Sequence, residues 1–330
     1  MTTNRTPRDC AQYGDIKLFA GTACPDLARK ISQYLAVPLS PRDVTLFPND
    51  NLFVKLHSSV RGQDVYVIQT LTRPVHRNLM ELLITLQTMR LDSAGRVTAV
   101  FPYMCYARSD KKDKPRVPIT ARLVADMIEI AGADRYMTLD LHAGQIQGFF
   151  SIPGDVLTAY HILLEHVIGL LPSLRDPVVA AADLGFAKKG RNFAAEINAP
   201  IAFVEKRRSM DGARPVALTL IGNVAGRDVI VVDDEVDTAG SMCQAVELVK
   251  EQGARDVYVL FVHPIFSEPA VERLAALPVA GIITTDTVPI SADKLALLGT
   301  KLSVLSVAPL LGEVIRRAHE GRSVGEMFNE

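Results

Sequence analysis

The sequence predicts an α/β protein with two similar domains, each a mostly parallel sheet flanked by helices. Three observations support this fold class. Short apolar segments typical of buried strands alternate with helical segments along the chain. The length of 330 residues exceeds what a single hydrophobic core usually serves. Two stretches, 61–103 and 225–263, share one order of elements, as the two copies of an internal repeat would.

Ten segments are predicted to be strands because each is a short apolar run bounded by polar, Gly or Pro residues. In chain order they are residues 16–21, 64–70, 97–103, 136–141, 178–183, 201–206, 228–234, 256–263, 281–287 and 302–307. Helices are predicted between them, at residues 25–35, 78–91, 121–132, 192–197, 241–253 and 308–321. The apolar stretch 156–174 is interrupted by His161, Glu165 and His166, which argues against a membrane span and for a packed helix.

The internal repeat compares two strands and the elements that follow them. Each copy starts with a Gly-x-Asp-Val strand and continues through a loop and a helix to a second strand. In this register Gln69 and Thr70 occupy the positions of Asp233 and Asp234. Although all α/β units look alike at this level of detail, one copy forms without the acids, which favours a ligand-binding role for them. We expect an N-terminal domain at 1–158 and a C-terminal domain at 159–330, whose last residues can pack back on the first domain.

Composition narrows the class of partner. Hydrophobic residues make up 48% of the chain and the formal net charge is -1, so the basic excess of a general nucleic-acid binder is absent. We expect small-molecule partners, with no nucleic acid and no membrane. Four cysteines are present without a C-x-x-C pair, which predicts neither a zinc site nor a disulfide framework and fits a reducing cytoplasm. The polar N-terminal segment lacks the apolar core of a signal peptide.

The strongest functional signal is the acidic tract that ends the strand 228–234. Carboxylates crowd residues 233–237 and are followed by Thr, Ala, Gly and Ser before a predicted helix. Ligands of open α/β sheets bind beyond the carboxyl ends of the strands. The amide N–H groups at a helix start favour a phosphate, and Gly240 lets the backbone approach it. Carboxylates accept hydrogen bonds from a sugar diol.

These residues together predict a ribose 5-phosphate site. Asp233 and Asp234 would hold the sugar hydroxyls. The phosphate would be held by the residues that lead into the helix, namely Asp237, Thr238, Ala239, Gly240 and Ser241. The alternative is a solvated acidic turn that caps the helix.

The same tract resembles the phosphoribosyl-diphosphate (PRPP) binding signature shared by phosphoribosyltransferases and ribose-phosphate diphosphokinases. The segment 106–150, which contains "YARSDKK" and "DLHAGQ", is similar over its whole length to the ATP-binding and histidine-containing signature of the diphosphokinases. That family is also called PRPP synthases or ribose-phosphate pyrophosphokinases. The segments "NLMELL", "FVEKRR" and "EVIRRAH" fit the same family. The resemblance implies two phosphoribosyltransferase-type domains, with ATP bound by the first and ribose 5-phosphate by the second.

The resemblance also implies the reaction and the assembly. The family transfers the β,γ-diphosphoryl group of Mg-ATP to the anomeric hydroxyl of ribose 5-phosphate, giving PRPP and AMP, with Mg²⁺ as cofactor. Phosphoryl transfer gains mostly from positioning and charge neutralisation, and the chain lacks G-x-x-x-x-G-K-[ST], so it is not a P-loop kinase. The family further implies a homo-oligomer, a hexamer built from dimers.

Individual roles follow from matching motif positions. The ATP contacts implied by the resemblance are Phe47, Asn49, Arg108, Ser109 and His142. His142 and Asp183 match the metal site, and Lys206 and Arg208 match the basic pair of the catalytic loop. Several of these positions have a plainer alternative. Arg108 could be a salt-bridged surface arginine, His142 a hydrogen-bonded structural histidine, and Asp183 the cap of a turn. Lys206 and Arg208 could be solvated cations at a strand end.

Several positions depart from the family pattern. Asn51 replaces a glutamate near the adenine pocket, Ser109 replaces a glutamine, and Phe186 stands where glycine is common. The regulatory phosphate/ADP site keeps some residues and loses others: Gly144, Val156 and Gly325 replace two hydroxyls and one amide. Two other functions stay open on sequence alone, a phosphoribosyltransferase that uses PRPP and a non-catalytic subunit that associates with PRPP synthase.

Overall fold

The structure, a computed structural model, describes residues 13–182, 184–207 and 217–327. The chain forms two compact units. Unit 1 contains the chain up to Leu157 and again from Ala308 onward, and unit 2 spans Thr158–Val307. The second unit therefore ends before the C-terminus, and the segment that follows it belongs to unit 1.

Unit 1 is built on a parallel sheet whose strand order is β1-β4-β5-β6-β7. Its elements in chain order are β1 (Ile16–Ala20), α1 (Pro25–Leu35), β2 (Arg42–Leu46), β3 (Leu52–Leu56), β4 (Asp64–Ile68), α2 (Val75–Leu91), β5 (Arg96–Val100), α3 (Thr120–Ala131), β6 (Arg135–Leu139) and β7 (Gly154–Leu157). Strands β2 and β3 pair antiparallel in a separate hairpin. The central strand β4 is buried along its whole length, as expected for a parallel strand covered on both faces.

Unit 2 is built on a second sheet, with strand order β10-β9-β8-β11-β12-β13-β14. Its elements are α4 (Tyr160–Leu170), β8 (Val178–Ala181), α5 (Ala187–Glu196), β9 (Ile201–Arg207), β10 (Ala217–Ile221), β11 (Val229–Val236), α6 (Gly240–Glu251), β12 (Val257–Pro264), α7 (Ala270–Ala276), β13 (Gly281–Thr285), α8 (Ala292–Leu298) and β14 (Leu302–Leu305). All neighbours are parallel except the edge pair β9–β10. The predicted fold class, two similar α/β domains with mostly parallel sheets, is confirmed.

The amino ends of the two sheets carry the same buried charge pair. In unit 1, Asp64 accepts two hydrogen bonds from Arg96, at 2.8 Å from Nε and 2.6 Å from Nη2. In unit 2, Asp228 accepts from Arg255 Nε at 2.7 Å and pairs with its Nη2. Both aspartates are fully buried, so each depends on its arginine for compensation of its charge.

The last helix, α9 (Ala308–Glu320), closes unit 1 from the far end of the chain. It packs on α1, and His319 Nδ1 lies 2.9 Å from Asp64 Oδ2. Arg96 Nη2 donates to the carbonyl of Ala318 at 3.1 Å. The buried Asp64–Arg96 pair therefore also anchors the C-terminal helix.

All ten predicted strand segments contain strands, and the differences are additions. The sequence does not predict β2, β3, β7 and β10, or the short helices α7 and α8. Strands β2 and β3 were missed because their side chains are mostly half-buried or exposed, so no apolar run marks them. The packed helix expected within 156–174 is α4, which starts at Tyr160 because Val156 belongs to β7.

No helix in the described ranges is both long and apolar enough to cross a membrane.

Candidate active site

The acidic tract of unit 2 lies on a strand that outruns one of its neighbours. Strand β11 pairs with β8 only as far as Val232, opposite Ala181. On its other side it stays paired with β12 up to Val236, opposite Pro264. The predicted strand, residues 228–234, therefore continues two residues further, to Val236, because the pairing with β12 extends four residues beyond the end of the pairing with β8. The acids are held in extended backbone at the sheet edge, with β8 ending beside them.

Backbone amides compensate part of the crowded negative charge. Asp233 Oδ1 accepts the N–H of Asp234 at 2.9 Å, and Asp234 Oδ1 accepts the N–H of Glu235 at 2.9 Å. Asp233 is half-buried, whereas Asp234 and Glu235 are buried. Hydrogen bonds of this kind favour the ionised form of a carboxylate and fix its orientation. A hydroxyl-bearing ligand at this edge would meet oriented acceptors.

The turn after β11 leads directly into helix α6. Ala239 has a left-handed backbone (φ 61°), a conformation that costs a non-glycine residue energy and is often found at functional sites. Gly240 has no positive φ, and the nearest heavy atom to a Cβ built there is Arg273 Nη1 at 3.7 Å. Gly240 thus leaves space for a ligand to approach the backbone, and the residue with the left-handed backbone is Ala239.

The start of α6 can receive an anion. The N-cap residue Ala239 makes no side-chain cap hydrogen bond. In the first turn the amide N–H groups lack helical partners and the helix dipole favours negative charge. Thr238 and Ser241 are exposed beside it. Arg273 of α7 donates from Nη1 to the carbonyl of Thr238 at 2.9 Å. No sequence pattern singles out Arg273, since nothing in its segment predicts a contact with a loop 35 residues away.

Three predicted residues of this unit cannot be placed from side-chain contacts. Asp183 and Arg208 lie outside the described residues. Lys206 belongs to β9, where its backbone pairs with Leu218 of β10, and its side chain lies outside the described part of the structure. Their roles stay predictions.

Unit 1 presents its own predicted residues at the carboxyl edge of its sheet. Arg108 follows β5 and His142 follows the adjacent strand β6, and both are exposed. Two nearby residues have positive φ, Tyr106 at 60° and Asp140 at 39°. Such backbone strain in both loops at one sheet edge is typical of a functional site. Parallel pairing therefore brings Arg108 and His142 to the same edge of unit 1.

Tyr106 also makes a contact that the sequence did not predict. Its Oη lies 3.3 Å from His76 Nδ1, and the two rings are tilted with centroids 6.4 Å apart. His76 belongs to the first turn of α2, which follows β4. The strained loop after β5 is thus linked to the loop after β4.

Ser109 is used inside unit 1. Its Oγ accepts the N–H of Thr120 at 3.2 Å and lies 3.3 Å from Thr120 Oγ1, at the first residue of α3. Its carbonyl accepts the N–H of Ala121 at 3.1 Å. Ser109 therefore fixes the start of α3, and a contact with a nucleotide would have to share these hydrogen bonds.

Phe47 and Asn49 lie in the turn of the β2–β3 hairpin. Both are exposed, and the Phe47 ring centroid is 6.3 Å from that of Phe53. The base of the hairpin is fixed by Arg42, whose Nε donates to the carbonyl of Ala20 at 2.7 Å and whose Nη2 pairs with Glu81 Oε1 at 2.7 Å. The hairpin is therefore anchored at its base, while Phe47 in its turn and Phe53 in β3 form an exposed aromatic pair.

Comparison with known proteins places the chain in a family. Residues 16–132 match the model of the N-terminal domain of ribose phosphate pyrophosphokinase, and residues 208–329 match the phosphoribosyl synthetase-associated domain. A ribose-phosphate pyrophosphokinase of Deinococcus radiodurans is 44% identical over 99% of this chain and 100% of its own. One from Clostridium acetobutylicum is 43% identical over 96% and 98%.

A solved structure agrees with these sequence matches. The crystal structure of phosphoribosylpyrophosphate synthetase from Mycobacterium smegmatis superimposes with a TM-score of 0.88 at 39% identity, covering 93% of this chain and 99% of that one. The matches extend over both units and include the acidic tract and the edge of unit 1. The chain therefore belongs to the ribose-phosphate pyrophosphokinase family.

Proposed function

We propose that this protein is a ribose-phosphate diphosphokinase, which transfers the β,γ-diphosphoryl group of ATP to ribose 5-phosphate and releases PRPP and AMP. One observation carries the proposal. Strand β11 runs past the end of β8, so that Asp233 and Asp234 lie on the strand that leads directly into the uncapped start of α6. Diol acceptors followed by a phosphate cradle suit a sugar phosphate.

The sugar phosphate is bound by unit 2. Asp233 and Asp234 accept hydrogen bonds from the ribose hydroxyls, and the turn 237–241 takes the 5-phosphate through its amides and the hydroxyls of Thr238 and Ser241. Arg273, which holds the carbonyl of Thr238, keeps this turn in place and adds positive charge near the phosphate. The excess of acids is tolerated because two of their oxygens are already compensated by backbone amides.

ATP is bound by unit 1. The guanidinium of Arg108 suits the phosphates or stacking on adenine, and its exposure at the sheet edge leaves it accessible. The exposed Phe47 offers an apolar surface to a base, and Asn49 offers amide hydrogen bonds. Ser109 shapes this site through its bonds to the start of α3.

Mg²⁺ is the proposed cofactor. Among the residues that the structure describes, no group of three or more His, Cys, Asp or Glu side chains could hold a metal ion, and magnesium typically takes only one or two protein ligands besides substrate phosphates. His142 is exposed at the edge of unit 1, and His142 and Asp183 are the ligands that the family resemblance implies. When bound, the ion neutralises charge on the ATP phosphates.

The chain's own residues then position the two substrates and neutralise the charge on the transferred group. The anomeric hydroxyl oxygen attacks the β-phosphorus, the bond from that phosphorus to the α,β-bridging oxygen breaks, AMP leaves, and the hydroxyl proton passes to solvent. Lys206 and Arg208 act as catalytic residues that neutralise charge on the transferred diphosphate, because this reaction gains most from electrostatic stabilisation.

We also propose that the protein acts in the cytoplasm as a homo-oligomer, a hexamer built from dimers. Unit 1 supports self-association through an apolar face of α2 and α3, where large side chains are exposed: Met80 at 44%, Leu91 at 72%, Leu123 at 56% and Ile130 at 80%. Faces of this kind usually mark an interaction surface.

The deciding experiment is an assay of the purified protein with MgATP and ribose 5-phosphate. AMP and PRPP should form in equal amounts and only when the sugar phosphate is present. A phosphoribosyltransferase would instead consume PRPP when given a nucleobase, and a non-catalytic subunit would do neither. Absence of sugar-dependent AMP would exclude the proposed reaction.

A further inference from the structure

An aromatic cluster lies behind the acidic tract of unit 2. Tyr160, the first residue of α4, packs its ring against Phe186 at a centroid distance of 5.5 Å and edge-on against Phe193 at 6.1 Å. Lys189 Nζ lies 5.9 Å from the Tyr160 ring centroid and 5.8 Å from that of Phe186. Rings at these distances attract one another and a nearby cation. The cluster thus connects α4 to the turn after β8 and to α5.

The hydroxyl of Tyr160 extends this cluster to the sugar-binding strand. It donates to the backbone carbonyl of Asp233 at 2.9 Å. The preceding carbonyl, that of Val232, accepts the N–H of Ala182, which follows the last residue of β8. Asp233 is therefore the first residue of β11 beyond its pairing with β8, and Tyr160 bonds it from an element 73 residues away in the chain.

Phe186 occupies a position where the resemblance predicts glycine. Its ring is only 5% exposed, and it lies in the short helical turn between β8 and α5. A buried phenyl ring here replaces a flexible residue by one that contacts Tyr160. The departure from the family pattern is thereby connected through one side chain to the acids of β11.

We propose that Tyr160 is a positioning residue of the sugar-phosphate site, which holds Asp233 through its hydroxyl and is held in turn by Phe186. The inference rests on the proposed function. Tyr160 acts through Asp233 and does not itself contact the substrate. It fixes the backbone of the residue whose carboxylate binds the ribose diol, and Phe186 fixes Tyr160.

The test uses Tyr160→Phe, which removes the hydroxyl and keeps the ring. Loss of one hydrogen bond that orients a binding residue should raise KM for ribose 5-phosphate about five- to tenfold. KM for ATP and kcat should change by less than about twofold. Isothermal titration with ribose 5-phosphate alone should show the same loss of affinity. The matched control is Tyr258→Phe, the same chemical change at the amino end of β12, which should leave all three constants unchanged.

A second variant tests the link to Phe186 and guards against misfolding. Phe186→Leu should also weaken the binding of ribose 5-phosphate. When Tyr160→Phe is added to Phe186→Leu, the further loss of affinity should be clearly smaller than the loss that Tyr160→Phe causes in the wild-type protein. Strictly additive effects would overturn the coupling. Equal affinity of Tyr160→Phe and wild type, or an equal loss for both substrates, would overturn the positioning role.

The outcomes separate this inference from the proposed function. A wild-type protein that neither binds ribose 5-phosphate nor forms AMP from it contradicts the proposed function, and the positioning role with it. A wild-type protein that is active while Tyr160→Phe matches it in every constant contradicts the positioning role alone.

Discussion

The two units share a scaffold and differ at the carboxyl ends of their equivalent strands. In unit 2 this end carries Asp233 and Asp234. In unit 1 the matching residues, Gln69 and Thr70, are fully buried. Gln69 Oε1 accepts the N–H of Ala23 at 3.0 Å and its Nε2 donates to the carbonyl of Asn78 at 3.2 Å. Unit 1 therefore uses the Gln69 side chain to bind its own loop after β1 and its own helix α2.

The packing around Gln69 is tight. A Cβ built on Gly21 would lie 1.8 Å from Gln69 Oε1, so the loop after β1 closes directly on this side chain. The neighbouring Glu81 is also buried and accepts the N–H of Thr22 at 2.9 Å. In unit 1 the strand-end side chain of Gln69 is thus committed to contacts within its own unit, whereas the strand end of unit 2 carries carboxylates, whose several lone pairs can accept further hydrogen bonds.

The largest effect on activity is expected for Lys206 and Arg208, the basic pair that belongs to catalysis and not to the scaffold shared by the two units. Lys206→Ala or Arg208→Ala should lower kcat by on the order of a hundredfold or more, with smaller changes in KM, because the pair acts mainly on the transition state. Steady-state kinetics of AMP release measures this. Arg227→Ala, at a half-buried arginine before β11 whose Nε donates to the carbonyl of Asp176, is the control and should retain full activity. A variant of either catalytic residue that lost only substrate affinity would contradict the assignment.

The next prediction compares alanine substitutions at the two equivalent strand ends. Asp233→Ala and Asp234→Ala should each raise KM for ribose 5-phosphate about ten- to a hundredfold, because hydrogen bonds to charged groups contribute about 1.5–3 kcal/mol. Their melting temperatures should change little. Gln69→Ala should do the reverse, since it leaves buried backbone groups without partners and should cost about 1–3 kcal/mol of stability.

Kinetics and thermal denaturation on the same three variants decide the comparison. Unfolding of both aspartate variants, without a selective loss of the sugar phosphate, would favour a structural role for the acidic tract. A selective loss of substrate affinity in Gln69→Ala would show that unit 1 keeps a site at the equivalent position.

A smaller effect concerns the shared amino end. Hydrogen bonds from Arg255, and then from the amides of Arg175 and Asp256, hold the pKa of Asp228 below its ordinary value despite burial. A carboxyl whose pKa is lower in the folded state contributes stability above its unfolded pKa and loses that contribution as the pH falls through the folded pKa. The stability advantage of wild type over Asp228→Asn should therefore be largest near neutral pH and shrink below about pH 4.

Urea denaturation of both proteins between pH 7 and pH 3 measures this prediction. The advantage at neutral pH should be about 1–3 kcal/mol, the usual cost of disturbing a buried, hydrogen-bonded group. A difference that stayed constant with pH would show that the Asp228 charge contributes nothing to folding.

The smallest effect concerns regulation by unit 1. Because Gly144, Val156 and Gly325 lack groups found in the family's regulatory site, we expect activity to need little inorganic phosphate and ADP to compete with ATP. No heavy atom lies within 4 Å of a Cβ built on Gly144, so Gly144→Ser should fold normally and tests whether one hydroxyl strengthens phosphate activation. Strong phosphate activation of wild type, with ADP inhibition that saturating ATP cannot relieve, would contradict the prediction.

Local pattern predicted much of this molecule. Strands β4 and β11 were found because their apolar runs are buried on both faces, and the acidic tract stood out against such a run. The continuation of β11 to Val236 depends on its pairing with β12, which no local pattern shows. The contacts of Tyr160 and Arg273 join residues 73 and 35 positions apart, so these two residues could not be found from the sequence.

The return of α9 to unit 1 has a consequence for synthesis of the chain. All of unit 2 is translated between the two parts of unit 1, so the ribosome completes the inner unit before the outer one. Until α9 emerges, Asp64 lacks His319, α1 lacks the helix it packs against, and Tyr34 of α1 lacks Arg316, whose guanidinium lies 5.0 Å from its ring centroid. A chain that stops at Val307 should therefore show fast hydrogen exchange in α1 while the amides of β11 stay protected. Premature termination near the C-terminus is thus detectable in the N-terminal part of unit 1, which is synthesised first.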